Sequence, residues 1–407
     1  MRLAAGPHFA HRDLPPARRV AITGLGIVSC VGIGKDAFWQ GLLGPAPEGF
    51  RTVPDFDPSA WFNSKEARRV DRFTQFNVAA ATMAVDDAGG MTSIAVDPAR
   101  AGVIMGAGVG GLDTLEKQII AMHEGGNRKV SPFLVPMMMS NAGCANVSMR
   151  FGLNGPSEAV ITACAAGTHA VGNAARLVAT GRCDMVLAGA SEAPLVDVGK
   201  AAFGNMTALS TIGISRPFDT ERDGFILAEG AAVLVLEEFD RARERGAHIY
   251  GEIAGAASTA DAFHITAPSP DGTGAALCME LAVEDAGLTP ADIAHINAHG
   301  TSTPLNDRAE ADAINKVFGQ PGPPVTSIKG ITGHSAGSAG AIEAVAVTLT
   351  IEHAQIPPTA GLVNLDPEIT LDVVTGGPRA WEPGPVISNS FGFGGHNGCL
   401  VVVPPGS

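Results

Sequence analysis

Short apolar runs alternate with Ala- and Gly-rich stretches along most of the chain. RRVAITGLGIVS opens a first series, and AGVIMGAG, EAVITAC, DMVLAGA and AAVLVLEEF continue it. A second series starts near residue 248 with HIYGEIAGAAS and runs through HINAHG, PVTSIKG, LDVVTG, GPVISNSFG and GCLVVVPP. Such runs read as buried strands, and the intervening His169–Thr180, Gly274–Ala286 and Ala339–His353 read as helices. The alternation predicts an α/β fold with sheets covered by helices. EAVITACAAGTHAVGNAARLVA and PVTSIKGITGHSAGSAGAIEAVAVTL share one pattern of buried strand, small-residue turn and amphipathic helix. This points to a duplication, with Cys164 and His334 at similar places in the two units. The expected division is a flexible lead-in over 1–18, one half over 19–247 and a second over 248–407. No low-complexity linker separates the halves, so one shared body is expected.

Composition narrows the class. The 407 residues are 45% hydrophobic and 17% charged, ample for a large core. A net charge of −14 argues against nonspecific nucleic-acid binding. No apolar run is long enough for a membrane span, and MRLAAGPHFAHRDLPPARR lacks the apolar segment of a signal peptide. The six cysteines (30, 144, 164, 183, 278 and 399) form no CxxC pair. Zinc-ribbon and thioredoxin chemistry are therefore unsupported, and a cytoplasmic chain with reduced thiols is expected.

Several motifs compete to carry the chemistry. Gly106, Gly108 and Gly111 fit a GxGxxG turn, but the following stretch lacks the second strand and acidic end that a dinucleotide site needs. Gly333-His334-Ser335-Ala336-Gly337 fits a nucleophile elbow, with His396 downstream, so a serine hydrolase using Ser335 is a serious alternative. In TACAAGTHA, Cys164 stands at a helix start, where the helix dipole lowers a thiol's pKa and free N–H groups can hold an oxyanion. In INAHGTSTPLND, His299 ends a strand, and Thr301 and Thr303 offer hydroxyls to a polar ligand. Lys329 and Glu343 flank His334 as a candidate buried ion pair. In SNSFGFGGHNG, Gly392, Gly394 and Gly395 permit close main-chain approach to a ligand, and Phe391 and Phe393 can close over an apolar tail.

Taken in order, TACAAGTHA, SRPFDTERDGFILAEGA, NAHGTSTPLND, KGITGHSAG and NSFGFGGHN resemble the β-ketoacyl-acyl carrier protein synthases, closest to the type II elongating enzymes. The resemblance runs from about Arg19 to Val403. It implies the thiolase fold, in which two duplicated halves form a five-layer α-β-α-β-α sandwich. It implies a Cys-His-His triad of Cys164, His299 and His334, supported by Lys329 and Glu343. Phe393 matches the family's gating residue, whose N–H joins that of Cys164 in the oxyanion hole. Thr301 and Thr303 match positions contacting phosphopantetheine. The implied reaction is decarboxylative Claisen condensation of a malonyl-acyl carrier protein with a Cys-bound acyl chain, in fatty-acid or type II polyketide synthesis. No metal or bound cofactor is implied, since the phosphopantetheine arrives on the carrier. On this resemblance Ser335 becomes incidental; a non-catalytic subunit that shapes a partner's pocket is a further alternative.

The same resemblance carries partners and specificity. It implies an acyl carrier protein and a dimer, either with itself or with a chain-length-factor-like subunit. Lys65, Arg68, Arg69, Arg128 and Lys129 are the candidate carrier-docking patch. Val109, Phe133 and Met138, within the run Met137-Met138-Met139, match acyl-pocket or dimer-interface positions. Thr207 replaces an expected basic residue. The segments near 50–68 and 211–215 are short for the family, and His396 stands where threonine is common.

Overall fold

The computed structural model describes residues 17–407. Most of the expected lead-in lies outside the described residues, but Arg18 is already pinned, its N–H donating to the Ala179 carbonyl at 2.9 Å. The first half contributes β1 (Val20–Ser29), β2 (Ala101–Gly106), β3 (Ser157–Val160), β4 (Met185–Glu192) and β5 (Gly230–Glu238). They pair in the order β3-β2-β4-β5-β1. The second half contributes β6 (Gly251–Ala260), β7 (His295–Asn297), β8 (Val325–Thr326), β9 (Val386–Gly392) and β10 (His396–Val403), paired as β8-β7-β9-β10-β6. Counted within each half, both orders are third-second-fourth-fifth-first. In both, the second strand pairs parallel with the third and fourth, and the remaining pairings are antiparallel. Chance look-alikes do not reproduce strand order and polarity together, so the duplication is a property of the fold.

The halves meet where β1 pairs with β6, Ala21 opposite Glu252 and Ile22 opposite Gly251. β1 is buried at all its positions, as a strand covered on both faces must be. Five helices set the layers: α1 (Arg72–Asp87), α2 (Ala166–Ala179), α3 (Thr273–Asp285), α4 (Pro304–Phe318) and α5 (Ala339–His353). α2 and α5 form the middle layer. α5 is buried from Ala339 to Ile351 all the way round, because sheets or α2 face it on every side. Val171, Val178, Val345 and Leu349 fill this central core with Ile22 and Leu234. A second core, with Phe73, Phe76 and Leu187, lies under α1; a third, with Met279, Ile314 and Val401, lies under α3 and α4. Helix, sheet, helix, sheet, helix is the five-layer order expected.

Two local expectations need correction. EAVITAC is not a buried strand: β3 stops at Val160 and stands at the sheet edge, half-exposed. LDVVTG does not form a ladder strand: its backbone bonds go to Val325 on β8, which is two residues long, and to Thr359, whose N–H donates to the Val374 carbonyl at 2.7 Å. Val373 makes a single bridge to Val325, with Val374 N–H donating to the Val325 carbonyl at 2.9 Å.

Candidate active site

Each half turns sharply from a strand into a central helix. Ala163 has φ of 50° and opens a 3-10 turn into α2; Ala336 has φ of 46° and opens the same turn into α5. A non-glycine residue there is strained, and the two strained alanines mark equivalent positions. Cys164 is therefore the counterpart of Gly337, whereas the sequence suggested His334. His334 lies just upstream of that turn. Gly167 and Gly340 let the helix starts touch: a Cβ on Gly167 would meet Ala341 N at 2.5 Å, and one on Gly340 would meet Thr168 Oγ1 at 2.1 Å.

A cavity of about 610 Å³ opens onto this junction, and Cys164, His299, His334, Thr301, Thr303 and Phe393 all line it. His299 leaves the end of β7 and is almost fully buried. The Lys329 ammonium donates to the His299 carbonyl at 2.7 Å and lies 3.2 Å from its Nδ1. An ammonium has no lone pair, so Nδ1 is the acceptor and the His299 proton sits on Nε2. Lys329 also pairs with Glu343 of α5; both are 1% exposed. The predicted supporting pair is thus a real buried ion pair. His334 is fixed by its main chain, donating to Ile226 O at 2.8 Å and accepting from Ala228 N–H at 3.0 Å. Its ring packs edge-on to Phe225 and lies 5.4 Å from the His299 ring, nearly perpendicular to it.

Burial sets the charges. It holds both histidines well below their usual 6.5, and the Lys329 charge pushes the same way, so each imidazole is neutral at pH 7. Burial pushes the Cys164 thiol up to about 11. Lys329 and a hydrogen bond from the Phe393 N–H pull it back only in part. The helix-start argument predicts a lowered thiol, whereas burial raises it. Phe393, the second expected oxyanion donor, lines the cavity together with Cys164. Gly392 makes the close approach of its loop to Cys164 possible: a Cβ there would lie 2.8 Å from Thr162 O and 3.0 Å from Cys164 N. Phe391, Gly392 and Gly395 also line the cavity, whereas Gly394 is exposed and turned outward.

Three buried acids escaped the sequence reading. Glu310 accepts the N–H groups of His299 and Gly300, each at 2.7 Å. Asp307 accepts from Phe218 N–H at 2.9 Å and Ser302 N–H at 3.2 Å, tying the central signature to the His299 loop. Acids one helical turn apart on the inward face of α4 were the available signal. The third, Glu192, caps the Gly106–Gly111 turn. Ser335 is buried and does not line the cavity, and His396 sits in the β9–β10 ladder, so no hydrolase pair forms.

Other predicted residues lie apart. Lys65, Arg68, Arg69, Arg128 and Lys129 are exposed, but none lines the cavity. Arg69 stacks on Phe133 at 4.6 Å. Val109, Phe133 and Met138 do not line the cavity either. They belong to an outer apolar surface where Ser140 Oγ donates to Val109 O and Gly111 N–H donates to Met138 O. Thr207 does line it, and the short loop beyond is closed by Ser210 and Thr211 on Asp223 at 2.7–2.8 Å.

A buried cysteine and two neutral histidines at the junction of duplicated halves define a thiolase-fold acyltransferase. The β-ketoacyl synthase N-terminal domain matches residues 46–242, and the β-ketoacyl synthase C-terminal domain matches residues 250–363. The 3-oxoacyl-acyl-carrier-protein synthase 2 of Synechocystis sp. is 42% identical, covering 94% of this chain and 97% of that protein. The ishigamide ketosynthase/chain length factor is 33% identical with a TM-score of 0.91, covering 96% of this chain and 100% of that one. A type II polyketide synthase acyl-carrier protein in complex with its ketosynthase bound to the hexaketide contains a chain 32% identical with a TM-score of 0.89, covering 95% and 99%. The chain belongs to the β-ketoacyl synthase family. It is a condensing acyltransferase that performs the decarboxylative Claisen condensation of fatty-acid or polyketide synthesis.

Proposed function

We propose that Cys164 carries the acyl chain and that His299 and His334 drive decarboxylation of the malonyl unit, both delivered as phosphopantetheine thioesters on an acyl carrier protein. Cys164 Sγ attacks the acyl thioester, the bond to the pantetheine sulfur breaks, and the Cys164 proton leaves on that departing thiol. Malonyl thioester enters next. Its carboxylate leaves as carbon dioxide, and the resulting enolate oxygen takes hydrogen bonds from the histidines, His299 through Nε2–H. The carbanion attacks the acyl-cysteine carbonyl. The tetrahedral oxyanion rests on the N–H groups of Cys164 and Phe393, and its collapse returns Cys164, which regains a proton from water. Thr301 and Thr303, hydrogen-bonded to each other at 2.9 Å on the cavity wall, contact the pantetheine arm.

The observation that carries this reading is the Lys329 contact, which forces the His299 proton onto Nε2 while burial keeps both rings uncharged. Neutral donors stabilise an enolate without protonating it. Measuring carbon dioxide release from a malonyl carrier tests the assignment. Cys164→Ala should still decarboxylate but form no condensation product, whereas His299→Ala and His334→Ala should lose decarboxylation. Unchanged release in both histidine variants would overturn it.

The partner across the outer apolar surface is a second thiolase-fold subunit, either a copy of this chain or a chain-length-factor-like one. The basic residues flanking Phe133 then receive the acidic carrier. Cytoplasmic residence belongs to this proposal; among the described residues no helix is long and apolar enough to cross a membrane.

A further inference from the structure

The Gly106–Gly111 turn binds an anion, but the anion is the protein's own. Glu192 ends β4 without any solvent exposure. Its carboxylate accepts from Gly108 N–H at 2.5 Å, Gly110 N–H at 3.1 Å and Val109 N–H at 3.2 Å. A further bond comes from the opposite half, Gly337 N–H at 3.1 Å. Gly337 is the positional counterpart of Cys164 and lies three residues beyond His334. The packing leaves no slack: a Cβ on Gly337 would lie 2.1 Å from Gly108 N, and one on Gly108 would lie 2.6 Å from Glu192 Oε2. Nests of successive N–H groups ordinarily hold phosphate or another anion. Here one carboxylate fills the nest and reaches across to the start of α5.

We propose that Glu192 is a positioning residue of the condensing centre, fixing the segment from His334 to Gly337 against the Val109 turn. This rests on the reading of Cys164 as nucleophile and His334 as enolate donor. Burial pushes the Glu192 carboxyl upward, but both oxygens face N–H donors, which favour the anion and leave no acceptor for a carboxyl proton. Its charge acts on the Cys164 thiol in the direction that opposes ionisation. Lys329 acts on the thiol in the opposite sense, and His299 and His334 are neutral. A glutamine at 192 would turn an NH₂ group toward N–H donors, lose part of the nest and remove the charge. The His334 turn then drifts, and misplacement of about 1 Å costs roughly 100-fold in rate.

The test compares wild-type protein with Glu192→Gln and Glu192→Asp. Three readouts are taken: turnover per folded molecule, KM for the malonyl carrier, and the pH midpoint of Cys164 alkylation by iodoacetamide followed by mass spectrometry. Glu192→Gln should lose at least about tenfold in kcat with KM nearly unchanged, and its alkylation midpoint should move to lower pH. Glu192→Asp keeps the charge but not the reach; it should lose turnover while keeping the wild-type midpoint, and it serves if the glutamine variant does not fold. Wild-type turnover in both variants overturns the proposal, as does a loss carried by KM with kcat unchanged. Failure of wild-type protein to acylate Cys164 would instead sink the underlying functional reading.

Discussion

Water stabilises a thiolate and an imidazolium alike, so removing it moves cysteine and histidine titrations in opposite directions. At the floor of the cavity the consequence is a neutral thiol and two neutral imidazoles. Alkylation of Cys164 in the resting protein should keep accelerating above pH 9 toward about 11, which a pH series of iodoacetamide rates measures directly. The histidines carry the complementary prediction. Their titrations are lowered, so they stay neutral as pH falls through 6.5, and carbon dioxide release by Cys164→Ala protein should show no loss at that pH. A histidine with an ordinary titration would lose half its neutral form there. Lys329 is the charged exception, and it is balanced by Glu343. Lys329→Met leaves the Glu343 carboxylate buried and unpaired, and should cost about 3–5 kcal/mol in urea unfolding. Replacing Glu343 as well with Gln should recover much of that loss. At this scale the sequence showed which side chains matter, because reactive groups stood out against Ala and Gly. It did not show their charge state, which depends on enclosure by parts of the chain distant in sequence.

Two kinds of element bring those side chains together: strained turns that start the central helices, and the glycine loop between β9 and β10. Gly392→Ala introduces a methyl group at 2.8 Å from Thr162 O and 3.0 Å from Cys164 N. The loop must then withdraw from the nucleophile turn, so acylation should fall by roughly 100-fold, the scale of losing one oxyanion donor, while circular dichroism stays native. Gly340→Ala acts on packing, not chemistry. Its methyl would lie 2.1 Å from Thr168 Oγ1, so α2 and α5 must part, and stability should fall by about 1–3 kcal/mol in urea unfolding. The central helices were legible to within a few residues because Ala, Val and Ile patterns specify them locally. β3 and LDVVTG were misread for one reason. Whether an apolar run becomes an inner strand, an edge or a single bridge is decided by its neighbours, and Val373 makes one bridge to a two-residue strand.

For the whole molecule, duplication places the site at the junction between halves, and both halves supply it. Cys164 comes from the first, while His299, His334, Lys329 and the glycine loop come from the second. Ordered motifs made this legible, whereas Glu192, Glu310 and Asp307 were missed: each acts through backbone N–H groups, and only the spacing of the two α4 acids signalled any of them. Val109, Phe133 and Met138, expected in the acyl pocket, lie on an outer surface and not in the cavity of one chain, so that expectation concerns an assembly. Val135 on that surface is 61% exposed. Val135→Asp should convert the assembly to monomers, seen as a halved mass by light scattering, and condensation should fall with it.

The central claim is that Cys164 accepts the acyl group. Incubation with an acyl carrier thioester, followed by mass spectrometry of the digested protein, tests it with Cys164→Ala and Ser335→Ala alongside. The expected result is an acyl adduct on the Cys164 peptide of wild-type and Ser335→Ala protein, absent from Cys164→Ala and discharged as β-ketoacyl carrier when malonyl carrier is added. An adduct that persists in Cys164→Ala but disappears in Ser335→Ala would contradict the account.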